Sequence, residues 1–246
     1  MEGDAMATDA TPQRLYLMQV ATMHVGDQAV PVPSYLIQLG DGTNVLIDSG
    51  FPVDVESDQE MRIEVDKDVV AHLAGLGLRP EDIDILICTH LDPDHAGQHA
   101  AFANARYVVQ REHDALASGG DERFEAAAPL WDYPPARFRL VDGDTELFPG
   151  VELIESSGHV PGHQSVLVRL PQTGPVLLAI DAMPFDMAGL TPETRSVNPY
   201  DMDEAATRAS TRKLLDLAAR EGVALVVYGH DEAQWRVLKT APACYE

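Results

Sequence analysis

What this chain has little of sets its first limits. Only two cysteines, Cys88 and Cys244, occur in 246 residues, too few and too far apart for a disulfide framework, which fits a reducing compartment. Positive charge is scarce as well. Lys and Arg number 17 against 40 Asp and Glu, and the net charge of -23 argues against polyanionic nucleic acid and anionic membrane surfaces as partners. The plainer meaning of that charge is a well-solvated surface. No apolar run approaches the length of a membrane-crossing helix. Residues 1–12 lack the basic start and apolar centre of a secretory signal, so they are expected to form a disordered tail, and the location to be cytoplasmic. No internal repeat stands out.

What is present concentrates in a few short segments. Thr89-His90-Leu91-Asp92-Pro93-Asp94-His95-Ala96-Gly97 places four metal-competent side chains, His90, Asp92, Asp94 and His95, within six residues. The apolar run Ile83 to Cys88 before it reads as a buried strand. The cluster then sits on a loop at the strand's carboxyl end, where open sheets place chemistry. Imidazoles and carboxylates together suit zinc, manganese or iron. Taken alone, Asp92-Pro93-Asp94 is also an ordinary turn leading into a helix. Three further segments weaken that bland reading. Ser156 to Ser165 carries His159 and His163 in a Gly/Pro loop, Val176 to Ile180 runs into Asp181, and Val223 to Tyr228 runs into Gly229-His230. A core strand needs no His or Asp at its end, and burying one unpaired is costly.

Strands are expected near residues 15–22, 30–38, 44–48, 83–88, 105–110, 137–141, 150–155, 164–170, 175–180 and 223–228. Helical patterns fall near 66–76, 95–103, 111–117, 121–129, 203–221 and 231–237. In 203–221 the residues Ala206, Leu214, Leu215, Leu217 and Ala218 form an apolar stripe. The two element types interleave, an α/β pattern. A hydrophobic share of 45% suffices for a proper core, and the candidate ligands spread from residue 90 to 230 with no linker between them. Residues 13–246 are therefore expected to form one domain. Cys88, on the buried strand, is expected to pack in the core rather than to ligate.

The His90-to-His95 loop, the SGHVPGHQS loop, the strand-terminal Asp181 and the late Gly229-His230-Asp231 together resemble the metallo-β-lactamase superfamily. Within it the resemblance is to the N-acyl-homoserine lactonases, and it extends to residues 30–37 (VPVPSYLI), 45–50 (VLIDSG) and 108–113 (VVQREH). It runs from about Leu15 to the C-terminus. It implies an αβ/βα sandwich of two mixed β-sheets flanked by helices. Carried over residue by residue, it implies one metal ion held by His90, Asp92 and His159, another by Asp94, His95 and His230, and Asp181 bridging the two. Two divalent ions are the implied cofactors, zinc first, with manganese or iron as alternatives. The implied reaction is quorum quenching, in which a metal-bridging hydroxide opens an N-acyl-homoserine lactone ring and Asp94 carries the proton to the departing alkoxide. The partner is then a small lactone, with neither nucleic acid nor membrane involved, and a homodimer is left open.

Two positions depart from the family pattern. The superfamily usually has histidine where Asp92 stands, and an acidic residue there is shared with its diiron branch. With Asp92 as a ligand, three carboxylates and one hydroxide cancel two divalent ions, and such a neutral core is a weaker Lewis acid that favours harder ions than zinc. Lactonases also usually carry a tyrosine three residues after the bridging aspartate, where this chain has Pro184. The segments 130–135 and 183–187 could wall an acyl chain, although Trp131 and Tyr133 could equally cap a core edge. His163 rivals His159, but the family pattern puts the ligand first. His72 is expected at the surface, and His99 and His113 near the metal loop in sequence only. The competing functions are a hydrolase of the same fold acting on another lactone, a thioester or a β-lactam, a diiron redox protein, and a degenerate metal binder.

Overall fold

Alternation along two long N-terminal strands decides the architecture. In the computed structural model, which describes residues 10–57, 61–125, 127–131 and 137–246, β1 (Pro12–Val25) and β2 (Gln28–Leu39) pair antiparallel around Gly26-Asp27, with Gly26 at a φ of 59°. Tyr16, Met18 and Leu36 point to one side of this ribbon and Leu15, Leu17, Tyr35 and Ile37 to the other. All of them are buried, so the sheet needs cover on both faces.

One face is covered by helices and the other by a second sheet. The first sheet adds β3 (Asn44–Ile47), β4 (Met61–Glu64), β5 (Ile85–Ile87), β6 (Arg106–Gln110) and β7 (Phe138–Val141), in the order β4-β1-β2-β3-β5-β6-β7. The second contains β8 (Thr145–Phe148), β9 (Val151–Glu155), β10 (Gln164–Leu170), β11 (Gly174–Ile180) and β12 (Leu225–Tyr228), in the order β12-β11-β10-β9-β8. Between the sheets, Leu15, Leu17, Tyr35, Val45, Ile47 and Ile87 meet Val151, Leu153, Val166, Val168, Val176 and Leu178. Outside the first sheet lie α1 (Val69–Gly75), α2 (Pro93–Ala96), α3 (Arg111–Ser118), α4 (Glu122–Glu125) and α5 (Ala128–Trp131). Outside the second lies α6 (Glu204–Glu221), and α7 (Glu232–Trp235) follows β12. This is the expected sandwich of two mixed sheets between helical layers.

The differences from the sequence reading have local causes. No helix runs through 95–103. α2 ends at Ala96, Gly97 lies against the backbone of residues 51 and 52, where a Cβ would come within 2.3 Å of the Pro52 nitrogen, and a separate 3-10 turn covers His99–Ala101. β4 and β8 are short and half exposed, so no periodicity marks them. Of residues 1–12, expected to form a tail, residues 1–9 lie outside the described residues, while Ala10 is buried and Pro12 starts β1. In α6 the inward face is Thr207, Ser210, Thr211, Leu214 and Leu217, so its first half presents hydroxyls rather than the apolar stripe expected from Ala206. One of those hydroxyls serves the loop of His159, since Ser210 Oγ donates to the Ser157 carbonyl at 2.6 Å, while Thr207 and Thr211 donate to the carbonyls of Asp203 and Thr207, one turn back. Cys88 is fully buried in the helix-side core, as expected. Among the described residues no helix is long and apolar enough to cross a membrane.

Candidate metal centre

Two pairs of parallel strands end at the same place. β3 and β5 run parallel into Asp48 and Thr89, and β11 and β12 run parallel into Asp181 and His230. The chain leaves these ends under strain. Asp48 and Ile180 are the non-glycine residues with positive φ among those described, at 57° and 52°. A β-branched residue in that region is held there only by its surroundings, and such outliers gather at functional sites. Ile180 immediately precedes Asp181, so the strained turn aims that carboxylate into the cleft between the sheet ends.

The side chains named from the sequence converge around Asp181. Its Oδ1 lies 3.1 Å from His230 Nε2 and 3.5 Å from His95 Nε2, while its Oδ2 lies 3.3 Å from His159 Nε2 and 4.0 Å from His90 Nε2. Asp94 Oδ2 is 3.4 Å from His95 Nε2 and 4.0 Å from His230 Nε2. Two groups of donors result, each with its atoms within 4.8 Å of one another: His90, His159 and Asp181, and then Asp94, His95 and His230.

Each imidazole is anchored through Nδ1, which turns Nε2 inward. His95 Nδ1 donates to Asp48 Oδ2 at 2.9 Å, His159 Nδ1 to Asp201 Oδ1 at 3.0 Å, His230 Nδ1 to the Pro31 carbonyl at 2.8 Å, and His90 Nδ1 to Thr89 Oγ1 at 3.2 Å. Asp48 also accepts from the Thr89 N–H and hydroxyl, at 2.9 and 2.6 Å. Hydrogen bonds of this kind set the tautomer and orientation of metal-binding histidines. None of Asp48, Asp201 or the Pro31 carbonyl was singled out from sequence. The signals were Asp48 at the end of an apolar strand and the family resemblance of residues 30–37 and 45–50, within which Pro31 and Asp48 lie.

The buried atoms test whether a metal fits. Nε2 of His90 and of His95 and Oδ1 of Asp181 are shielded from solvent without a hydrogen-bond partner among the described residues, and orphaned buried polar atoms are uncommon in native folds. Imidazole nitrogens and carboxylate oxygens are the donors that divalent ions take. The electrostatics agree. Burial opposes ionisation of Asp181, yet His230, His95 and His159 hold its carboxyl well below the usual range. Burial likewise opposes a charge on His159, but Asp181, Asp201 and Asp92 lift it to about 9. His163 is different. Burial, with His159, His95 and His113 adding to it, drives it down to about 3, its Nδ1 bonds Ser156 Oγ at 2.9 Å, and its ring packs 5.2 Å from that of His90.

Asp92 is in place but engaged elsewhere. Its Oδ2 lies 3.2 Å from His159 Nε2 and 3.4 Å from His90 Nε2, and both its oxygens accept from the Arg123 guanidinium. Sequence reasoning missed Arg123, which lies 31 residues away with no motif around it. The negative charge that Asp92 was expected to add to the core is therefore balanced. His72, His99 and His113 also differ from expectation. His72 is buried and bonds the Gln19 carbonyl at 3.0 Å. His99 Nδ1 bonds Ser49 Oγ at 2.8 Å. His113 ties the two metal-side loops together, accepting from the Leu91 N–H and donating to the Pro161 carbonyl, both at 2.9 Å.

The expected apolar wall is also redistributed. Trp131 is buried in the helix-side core, and Met183 and Met187 pack beneath α6, while Tyr133 lies outside the described residues. Pro184 accepts the His230 N–H at 2.8 Å through its carbonyl. The exposed apolar side chains of this region are Phe185, Leu190, Tyr200 and Met202, on the loop between β11 and α6.

Comparison with known proteins agrees with this geometry. The family model for the metallo-beta-lactamase superfamily matches residues 27–230. The N-acyl homoserine lactonase AttM of Azorhizobium caulinodans is 31% identical, covering 96% of this chain and 100% of its own length. AttM of Rhizobium johnstonii is 32% identical over 96% and 99% of the two chains. The solved structure of an N-acyl homoserine lactone hydrolase with N-hexanoyl-L-homoserine at its catalytic metal centre aligns with a TM-score of 0.82 at 25% identity, covering 96% of this chain and 100% of that one. With the match running from β2 through His230 and relatives of that similarity along nearly the full length, this chain belongs to the metallo-beta-lactamase superfamily.

Proposed function

We propose that this chain opens the lactone ring of N-acyl homoserine lactones by hydrolysis at a dinuclear metal centre. The observation that carries the reading is Asp181, whose two oxygens face opposite ways, one toward His90 and His159 and the other toward His95 and His230. His90 and His159 would hold the first ion, Asp94, His95 and His230 the second, and Asp181 would be shared. Such a pair of ions, when bound, activates a water and polarises a carbonyl oxygen. Imidazole and carboxylate donors suit zinc, and manganese or iron lie within the same range.

The residues divide the remaining work. Asp48, Asp201 and the Pro31 carbonyl hold three imidazoles with Nε2 inward, so little reorganisation is needed when substrate arrives. Asp94 is the ligand carboxylate most open to the cleft, with a side chain 18% exposed against 7% for Asp181. It is placed to accept a proton from the attacking water and to pass it to the departing alkoxide. Phe185, Leu190, Tyr200 and Met202 offer an apolar surface for the acyl chain. The relatives' substrate supports this assignment.

Proton release on adding lactones of several acyl lengths to the zinc-loaded protein tests the reading. Release that rises with acyl length supports it. No release from any lactone, alongside clear turnover of a thioester or a β-lactam, overturns it. Asp181→Asn should lower kcat far more than it raises KM, because it removes help given to the transition state.

A further inference from the structure

A guanidinium stands against the imidazoles and carboxylates of the centre. Arg123 Nε donates to Asp92 Oδ1 at 2.8 Å and Nη2 donates to Asp92 Oδ2, a fork that takes both oxygens. The same Nη2 lies 2.9 Å from His159 Nε2, and Nη1 donates to the Tyr200 carbonyl at 2.6 Å. The arginine side chain is 21% exposed, so most of it is out of water.

The fold delivers this group deliberately. Arg123 sits on α4, and its neighbour Phe124 is fully buried with its ring 5.1 Å from that of His113. His113 in turn accepts from the N–H of Leu91, the residue before Asp92. On the other side, Tyr200 leads into Asp201, which orients His159, and into Met202, whose N–H donates to the His159 carbonyl at 3.0 Å. One side chain thus braces Asp92 and the loop that orients His159. At the second donor group the anchors are different, namely the Asp48 carboxylate and the Pro31 carbonyl.

We propose that Arg123 is a positioning residue that holds Asp92 as its ion-pair partner and out of the ligand set, so that the pair sets the metal affinity of the first position. This rests on the dinuclear reading above. The fork takes one lone pair on each Asp92 oxygen and neutralises the charge that would otherwise draw the carboxylate onto a cation. The pair is neutral as a whole, as a neutral imidazole would be at the same place. The first position is left with His90, His159 and the shared Asp181, and Arg123 Nη2, 2.9 Å from His159 Nε2, competes with a cation for that nitrogen. It is the weaker of the two positions.

Titrating the chelator-treated full chain with zinc against a chromophoric competitor reads both affinities. Cobalt in place of zinc reads coordination number from the intensity of its visible bands. In Arg123→Gln the carboxylate is released to ligate, so the weaker affinity tightens about tenfold or more and the cobalt bands lose intensity as a donor is added. The double variant Asp92→Asn/Arg123→Gln replaces the ion pair with two neutral amides of similar shape and keeps the parent's weaker affinity. If Arg123→Gln does not fold, the double variant decides alone. Unchanged or looser binding in Arg123→Gln, or a double variant as weak as Asp92→Asn by itself, overturns the proposal, because Asp92 is then a ligand that Arg123 merely orients. A parent chain that takes up fewer than two ions refutes the dinuclear reading instead, and that result shows without any change at Arg123.

Discussion

Two histidines four residues apart in the SGHVPGHQS loop have opposite surroundings. His159 turns Nε2 toward Asp181 and Asp92 and gives Nδ1 to Asp201, whereas His163 gives Nδ1 to Ser156 and packs behind His90. His163→Ala should therefore keep both metal ions while losing roughly 2–4 kcal/mol of stability to the cavity it leaves. Elemental analysis together with urea unfolding measures the two effects separately, and loss of metal without loss of stability would reverse the assignment of the two residues. Asp48 is the complementary case. It touches no proposed metal position yet fixes His95 and Thr89, so Asp48→Asn should weaken metal binding by about ten- to a hundredfold with the fold intact. Competition with a chelator checks the affinity, and far-ultraviolet circular dichroism checks the fold.

At the scale of elements, the loops that bring the donors together depend on backbone contacts as close as those in the core. Gly158 takes a φ of 141°, and a Cβ there would lie 2.3 Å from the Thr207 nitrogen at the start of α6. Gly158→Ala must push the loop away from the helix, with an expected loss of roughly 1–3 kcal/mol and displacement of His159. Urea unfolding and metal content of the same sample read both consequences. If stability and metal content match the parent, the loop and α6 are not in the contact described. Strand ends and turn residues were legible here because apolar runs and Gly/Pro chemistry act locally. β4 and β8 were not legible, since a four-residue edge strand with mixed exposure leaves no period to detect. The inward face of α6 was misjudged because Ser210 answers the backbone of the Ser157 loop, and Thr207 and Thr211 the carbonyls one turn back, rather than an apolar core.

Over the whole molecule, three buried histidines outside the two donor groups make stability depend on pH. Burial pushes His99 down to about 3, His113 to about 4 and His163 to about 3, from an ordinary value of 6.5. Above pH 6.5 these groups are neutral in both folded and unfolded chains and cost nothing. As pH falls below that value the unfolded chain binds protons that the folded one refuses. Each residue then removes about 1.4 kcal/mol of stability per pH unit, until its folded value is reached. Urea midpoints measured at roughly pH 7, 6 and 5 should fall stepwise. A midpoint that stays level over that range would show that these imidazoles accept protons without unfolding.

The sequence by itself determined where the candidate donors lie and what they are. Apolar runs that end in His or Asp, and a loop with four metal-competent side chains, need only local pattern to be recognised, while the choice of His159 over His163 came from the family resemblance, and six of the seven named residues stand in the two groups that could hold a metal. Tertiary structure alone decided what each donor leans on. Asp48 reaches His95 across 47 residues, Asp201 reaches His159 across 42, Arg123 reaches Asp92 across 31, and the Pro31 carbonyl reaches His230 across 199. A carboxylate in a linear sequence can serve as ligand, anchor or counter-ion with equal ease. Which role it takes depends on the partner that burial forces beside it, and that choice exists only once the two sheets have packed.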